Sequence, residues 1–284
     1  MDYPDKLAPL YEACALSKDV KGKRIVIKYG GAAMKEQQLT VQVIKNITLL
    51  QELGLRCILV HGGGPAINQW LDKLRIEPQF DRGIRVTDKQ TMEVVQMVLA
   101  GQVNKNLVGL LNINDLKAIG LSGHDDSLIK ALPINEEDDN RVANVESINV
   151  NFLNLLLNNG YLPVIAPIGV TESGLAYNIN ADVLASAVAS ELHADMLIML
   201  TDTPGILRDC SDVTTLLDKL TVSEVDTLIQ EGIVSGGMIP KVNACLNALC
   251  KGVGITKIID GRKPNTLLLS LMNEPLSGTS IISG

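Results

Sequence analysis

Two glycine-rich turns stand out in this 284-residue chain, each at the end of a short apolar run: Lys28-Tyr29-Gly30-Gly31 and His61-Gly62-Gly63-Gly64-Pro65. Glycine lets backbone N–H groups come close to an anion, and a helix that begins there adds a favourable dipole for phosphate or carboxylate. Two such turns suit two anionic ligands, although paired glycines also serve simply to make tight turns. Cations are at hand. Lys28 closes the first apolar run, and Lys241 follows SGGMIP near the start of a helical segment. Either could instead extend to solvent, as most lysines do. Arg85, in DRGIRVTD, offers a two-pronged donor for a carboxylate. Asn178, Asn180 and Asp182 fall in YNINAD just before another helical segment, where Asn and Asp more often cap than catalyse.

Several other chemistries lack their motifs. There is no GxxxxGK[ST], so any handling of ATP proceeds without a Walker loop, and no GxGxxG lies at a strand-to-helix junction. GLSG at 120–123 has the wrong spacing for a nucleophile elbow. The three histidines are scattered and form no HExxH, and no carboxylate cluster of metal-ligand type is apparent. The five cysteines form no CxxC pair and are odd in number, which fits reduced packing thiols. Lysine and arginine total 25 against 32 acidic residues, a net charge of −7, so a broad cationic face for nucleic acid or an anionic membrane is excluded. Aromatic residues make up 3% of the chain, which argues against a base-stacking platform. With 46% hydrophobic residues but no uninterrupted run of membrane-spanning length, the apolar surface belongs to a buried interior. MDYPDK lacks the pattern of a secretion signal or transit peptide, so the protein is expected to stay where it is made.

The elements that must position these groups alternate. The runs RIVIK (24–28), RCILV (56–60), PVIAPI (163–168), MLIML (196–200) and ITKII (255–259) are continuous rather than alternating, as strands buried on both faces require. Helical spacing predicts a helix over 35–52 closed by Gly54, and another from Pro65. A third is predicted to follow Thr87, capped by its hydroxyl with Gln90 reaching back, and to run toward Asn112. Thr221 and Glu224 repeat that capping pattern. The result is a mainly parallel sheet covered by helices on both faces, with ligands beyond the carboxyl ends of its strands. Residues 133–147 are the most polar stretch and read as an exposed hairpin or loop. Residues 1–22 contain LAPLYEACAL, a short amphipathic helix that is either a frayed end or an oligomerisation or regulatory arm.

KYGG, HGGGP, RGIRVTD followed by TMEVVQMVLAGQVNK, YNINAD, LTDTPGIL, GGMIPKV and IIDGR occur in one order across residues 25–263. Together they closely resemble the N-acetyl-L-glutamate kinases of the amino acid kinase family, and the resemblance covers nearly the whole chain. It implies an α/β fold, a three-layer αβα sandwich. The helical arm would be 1–22, a lobe at 23–175 would bind N-acetyl-L-glutamate and dimerise, and a lobe at 176–284 would bind MgATP. Carried over by motif, Lys28 and Lys241 would be the transition-state cations and Asp182 would orient them. Gly63, Gly64, Arg85 and Asn178 would hold the substrate, with Arg85 on its α-carboxylate. Gly30 and Gly31 would face the transferring phosphoryl group, and Asp202, Gly205 and Gly237 would border the nucleotide.

The resemblance also implies a homo-oligomer, in which the amino-terminal helix matches the arm that links dimers into hexameric rings in arginine-inhibited members. PII-type signalling proteins control cyanobacterial and plastid relatives, and bacterial cytoplasm and plastid stroma both suit this composition. Three departures are visible: Gly123-His124-Asp125-Asp126 replaces a GKDG-like turn, Lys257 stands where a histidine is usual, and Ser270 where a glutamate is usual. The competing readings are a kinase of the same fold acting on glutamate, aspartate, carbamate or a nucleotide, and a catalytically silent sensor of arginine or nucleotide.

Overall fold

The computed structural model describes residues 3–34, 36–81, 83–135, 139–272 and 277–284. Helix α1 (Tyr3–Val20) leads into β1 (Arg24–Tyr29), α2 (Gln37–Glu52), β2 (Arg56–His61) and α3 (Gly64–Lys73). A two-stranded hairpin, β3 (Phe80–Asp81) and β4 (Ile84–Arg85), precedes α4 (Lys89–Gln96), a π-helical segment (Met97–Val103) and α5 (Asn104–Ile113). Then come β5 (Ala118–Leu121), β6 (Ile129–Pro133), β7 (Val142–Ile148), α6 (Val150–Asn158), β8 (Leu162–Ile165), β9 (Ile168–Val170) and β10 (Ala176–Ile179). The remainder is α7 (Ala181–Glu191), β11 (Met196–Thr201), β12 (Lys219–Thr221), α8 (Val222–Gln230), α9 (Met238–Cys250), β13 (Ile255–Asp260), α10 (Thr266–Leu271) and β14 (Thr279–Ile282).

An eight-stranded sheet, ordered β12-β14-β13-β11-β1-β2-β8-β5, runs through both halves of the chain. Every neighbouring pair is parallel except β13 with β14. Successive side chains of a strand face opposite ways, and the burial follows that rule. Val26, Ile58, Leu197 and Met199 join one core with residues of α6, α7, α8 and α9. Ile25, Ile27, Leu59 and Ile198 join a second core with residues of α2, α3, α4, α5 and α10. The three-layer sandwich and the doubly buried strands are therefore as expected.

Several expectations need correction. PVIAPI is not one strand: it divides at Pro167 between β8 in the large sheet and β9 in a small closed barrel, β10-β7-β6-β9. Proline has no N–H to give a ladder, and the chain turns there, with Ile168 N donating to Ala166 O at 2.8 Å. Thr87 does not cap the next helix. Asp88 does, accepting from Thr91 N at 2.7 Å, because the helix begins one residue later. That helix continues to Ile113 only by way of the π segment, which helical spacing did not foretell. α2 begins at Gln37, after a 3-10 turn at Gly31–Met34, and Lys35 lies outside the described residues.

Elsewhere the local signals hold. Gly54, at φ +94°, follows the end of α2, and Pro65 sits in the first turn of α3. Thr221 and Glu224 form the reciprocal capping box of α8. Within 133–147, Pro133 ends β6 and residues 142–147 belong to β7, which pairs antiparallel with it; 136–138 lie outside the described residues. At the altered turn, Asp126 takes up the left-handed conformation (φ +50°) and is held by Asn149 Nδ2 at its carbonyl (2.9 Å) and its carboxylate (3.1 Å). Aspartate is among the few residues that visit this region readily, so the turn survives the loss of glycine. Helix α1 is longer than its apolar pattern suggested, and among its described side chains it packs through Leu16, Val20 and a Ser17 Oγ bond to Leu53 O (3.2 Å).

Candidate active site

β1 and β2 lie side by side, with Tyr29 in register with His61, so the two glycine turns emerge together at the carboxyl edge of the sheet. There the strand order reverses, since β2 lies on one side of β1 and β11 on the other, which is where open α/β sheets bind ligands. Gly62 N donates to Tyr29 O at 2.7 Å and seals the turns against each other. A Cβ on Gly30 would stand 3.0 Å from Lys28 Nζ and 3.7 Å from Gly62 Cα, so a side chain there would press on the ammonium.

Asp182 gathers the cations. It lies in the first turn of α7, where a carboxylate suits the helix dipole, and Asn180 caps that turn by accepting from Asp182 N (2.8 Å) and Val183 N (3.3 Å). Lys28 Nζ lies 2.8 Å from Asp182 Oδ1, an ion pair without hydrogen-bond alignment, and Lys241 Nζ lies 3.7 Å from Oδ2. The side chains of Lys28, Asp182 and Lys241 are 11%, 8% and 21% exposed, so two positive charges and one negative share a half-dry site. Lys241, one turn into α9, also donates to Gly237 O at 3.2 Å. A cleft of about 840 Å³ opens beside Asp182 and Lys241, lined also by Asn180, Gly237, Asn144 and Gly83 among others.

Arg85 is buried at the end of β4. Its Nη2 donates to Asn68 Oδ1, its guanidinium stacks 4.7 Å from the Phe80 ring centroid, and its Nη1 is buried without a partner. An orphaned guanidinium donor is what a carboxylate would satisfy. Thr87 links this arginine to Asn178: its Oγ1 donates to Arg85 O at 2.9 Å and accepts from Asn178 Nδ2 at 3.2 Å. Gly63, the cap of α3, lines a second cavity of about 690 Å³ with Tyr29, Asn68 and Gln102. A Cβ there would meet Leu99 Cδ2 at 2.4 Å, whereas one on Gly64 would meet nothing within 4 Å.

Of the remaining sequence candidates, Gly31 adopts φ +69°, a glycine conformation. Gly205 needs to be glycine for packing: it has φ +147°, and a Cβ would stand 2.6 Å from Thr279 Oγ1. Asp202 is exposed at the end of β11 and accepts from Thr201 Oγ1 at 3.2 Å. No contact ties Asp202 or Gly205 to the lysine pair among the described residues. Sequence reasoning missed Asn68, one turn into α3, and Thr87, which it read only as a cap.

This strand-edge pairing of glycine turns with convergent lysines defines a phosphotransferase-like class, and the chain belongs to the amino acid kinase family, whose profile matches residues 23–260. Within that family it stands with the acetylglutamate kinases. It is 50% identical to the acetylglutamate kinase of Nostoc punctiforme over 96% of this chain and 92% of that one. It is 49% identical to that of Porphyra purpurea over 91% of each. Among solved structures, N-acetylglutamate synthase from Neisseria gonorrhoeae with coenzyme A and N-acetyl-glutamate superposes with a TM-score of 0.86 at 24% identity. That match covers 98% of this chain and 63% of the synthase, and it bears on fold alone.

Proposed function

We propose that the chain transfers the terminal phosphoryl group of ATP to the side-chain carboxylate of N-acetyl-L-glutamate. The products would be ADP and N-acetylglutamyl 5-phosphate, in the second step of arginine biosynthesis. The observation that carries the reading is the single carboxylate of Asp182 holding Lys28 and Lys241, from opposite halves of the chain, at the sheet's switch point. A carboxylate acceptor is already ionised at neutral pH, so no general base is needed. The task is to hold two mutually repelling anions in line. The two ammonium groups neutralise the migrating phosphoryl group, and Asp182 keeps them together when the site is empty.

Arg85 takes the α-carboxylate through its unpartnered Nη1, and Gly63, Gly64 and Asn178 hold the rest of the acetylated substrate. Gly30 and Gly31 face the phosphoryl group, while Asp202, Gly205 and Gly237 border the nucleotide. Among the described residues no three His, Cys, Asp or Glu gather as metal ligands, so Mg2+ is expected to be carried on the ATP phosphates. The lobe at 23–175 would hold the acceptor and that at 176–284 the nucleotide.

Relatives in a cyanobacterium and a red alga support a bacterial-cytoplasmic or plastid-stroma setting. Among the described residues no helix is long and apolar enough to cross a membrane. A homo-oligomer, inhibition by L-arginine and control by a PII-type protein belong to the same reading. Inhibition curves in arginine, with and without residues 1–20, test the second of these.

ADP release measured in parallel with N-acetylglutamate, glutamate, aspartate and carbamate tests the whole. Turnover with N-acetylglutamate alone is expected. Preference for another acceptor overturns the substrate, and silence with all four favours a sensor.

A further inference from the structure

His61 is fully buried at the end of β2, directly before the glycine turn, and the roles above do not use it. Its Nδ1 lies 2.8 Å from Gly62 O. A carbonyl only accepts, so Nδ1 carries the hydrogen and Nε2 is left as an acceptor. Asn104 supplies the matching donor: its Nδ2 donates to His61 Nε2 at 3.1 Å and to Val164 O at 2.9 Å. Asn104 is itself buried, at the first position of α5, where the π segment ends. Leu99 of that segment packs against the face of Gly63 that a Cβ would occupy.

The Gly62–Gly63 peptide is planar and trans, so its C=O and N–H point in opposite directions. Holding the Gly62 carbonyl on a buried imidazole therefore turns the Gly63 N–H away from the core. Gly63 caps α3, whose first N–H groups have no partner within the helix.

We infer that His61, fixed in its Nδ1–H form by Asn104, is a positioning residue that aims the Gly63 amide at the anionic substrate bound in the glycine turn. The inference rests on the function proposed above and assigns to the chain's own buried residues the direction of one of its anion donors. His61 touches no substrate. It acts through the peptide that follows it.

The test pairs His61→Asn, whose amide nitrogen can stand where Nδ1 stood, with His61→Gln, whose amide nitrogen reaches the place of Nε2. His61→Asn is expected to keep most of kcat/KM for N-acetylglutamate. His61→Gln should lose about tenfold to a hundredfold, less than the loss of an oxyanion donor outright because the amide is misaimed rather than removed, with KM for ATP nearly unchanged. Nitrogen-15 spectra of the imidazole at neutral pH should show the Nδ1–H form in the native protein and a mixture of forms in Asn104→Leu. An Nε2–H form in the native protein, or equal and normal kinetics for both His61 variants at equal thermal stability, would overturn the inference. If His61→Gln does not fold, the tautomer in the native protein and in Asn104→Leu decides. If the native protein fails to phosphorylate N-acetylglutamate, the function falls, while the spectra still judge the positioning contact.

Discussion

Lys241 contributes chiefly charge at a fixed place. Its ammonium rests 3.7 Å from Asp182 and 3.2 Å from the Gly237 carbonyl, and its side chain is partly open to the cleft. Lys241→Ala should fold normally, because it removes no packed apolar group, and should lose about a hundred- to a thousandfold in turnover, the range for one preorganised charge-stabilising donor. Near-normal turnover with an unchanged melting temperature would remove Lys241 from the mechanism.

His61 makes a prediction on stability. Burial pulls its imidazole down to about 4, with the Gly62 hydrogen bond opposing that shift. The unfolded chain then binds a proton near pH 6.5 that the native protein refuses until about pH 4, so stability from this group falls as pH drops through that window. The full loss is about 3 kcal/mol. Denaturant titrations between pH 7 and 4 should show the loss in the native protein and a flatter profile in His61→Asn. Parallel profiles would mean that folding leaves the His61 imidazole at its ordinary proton affinity.

Among the elements, the helix from α4 through α5 carries the clearest consequence of backbone geometry. The π segment within it puts Leu99 against Gly63 and Asn104 against His61. A wider turn at a functional site is the usual setting for π geometry. Further along, Gly109 sits in the body of α5 with open space where a Cβ would go. Gly109→Ala is therefore expected to stabilise the protein by about 1 kcal/mol through the glycine penalty in helices, raising the melting temperature by about 2–4 °C. A lower melting temperature would show that this face of α5 is occupied by another surface. The small barrel illustrates a different effect: Pro167 cannot stay in the ladder, so one apolar run serves two sheets.

At the scale of the whole molecule, α1 stands apart. Residues 11–15 are exposed, and among the described side chains the helix is attached through Leu16, Ser17 and Val20. A third cavity, of about 280 Å³, lies at its base, lined by Asp19, Arg24, Asp195 and the buried Lys257 among others. Lys257 Nζ donates to the Ser270 carbonyl, so two of the three departures noted in the sequence meet each other, and burial lowers the lysine's proton affinity. Removing residues 1–14 should leave turnover unchanged, because none of the helix's described side chains contacts either glycine turn. If the helix is the arm between dimers, light scattering should show a smaller assembly, whereas an unchanged mass would exclude that role.

By itself the sequence determined the parallel sheet, its strand-end glycine turns and the residues that carry charge to them. Continuous apolar runs, proline at a first helical position and glycine after a last one are local rules that the chain obeys wherever it folds. The family motifs carried the rest of that reading, from Lys28 to Lys241. Those motifs already paired Asp182 with both lysines, but only the tertiary structure decided the distances of that pairing, that Arg85 leans on Asn68 while one of its nitrogens stays open, and that a buried histidine holds the Gly62 carbonyl. Such contacts join residues from separate elements, and no spacing along the chain encodes the distance between them. The π turn escaped for a related reason: the extra residue it accommodates is set by what its side chains pack against, here Gly63 and His61, rather than by its own sequence.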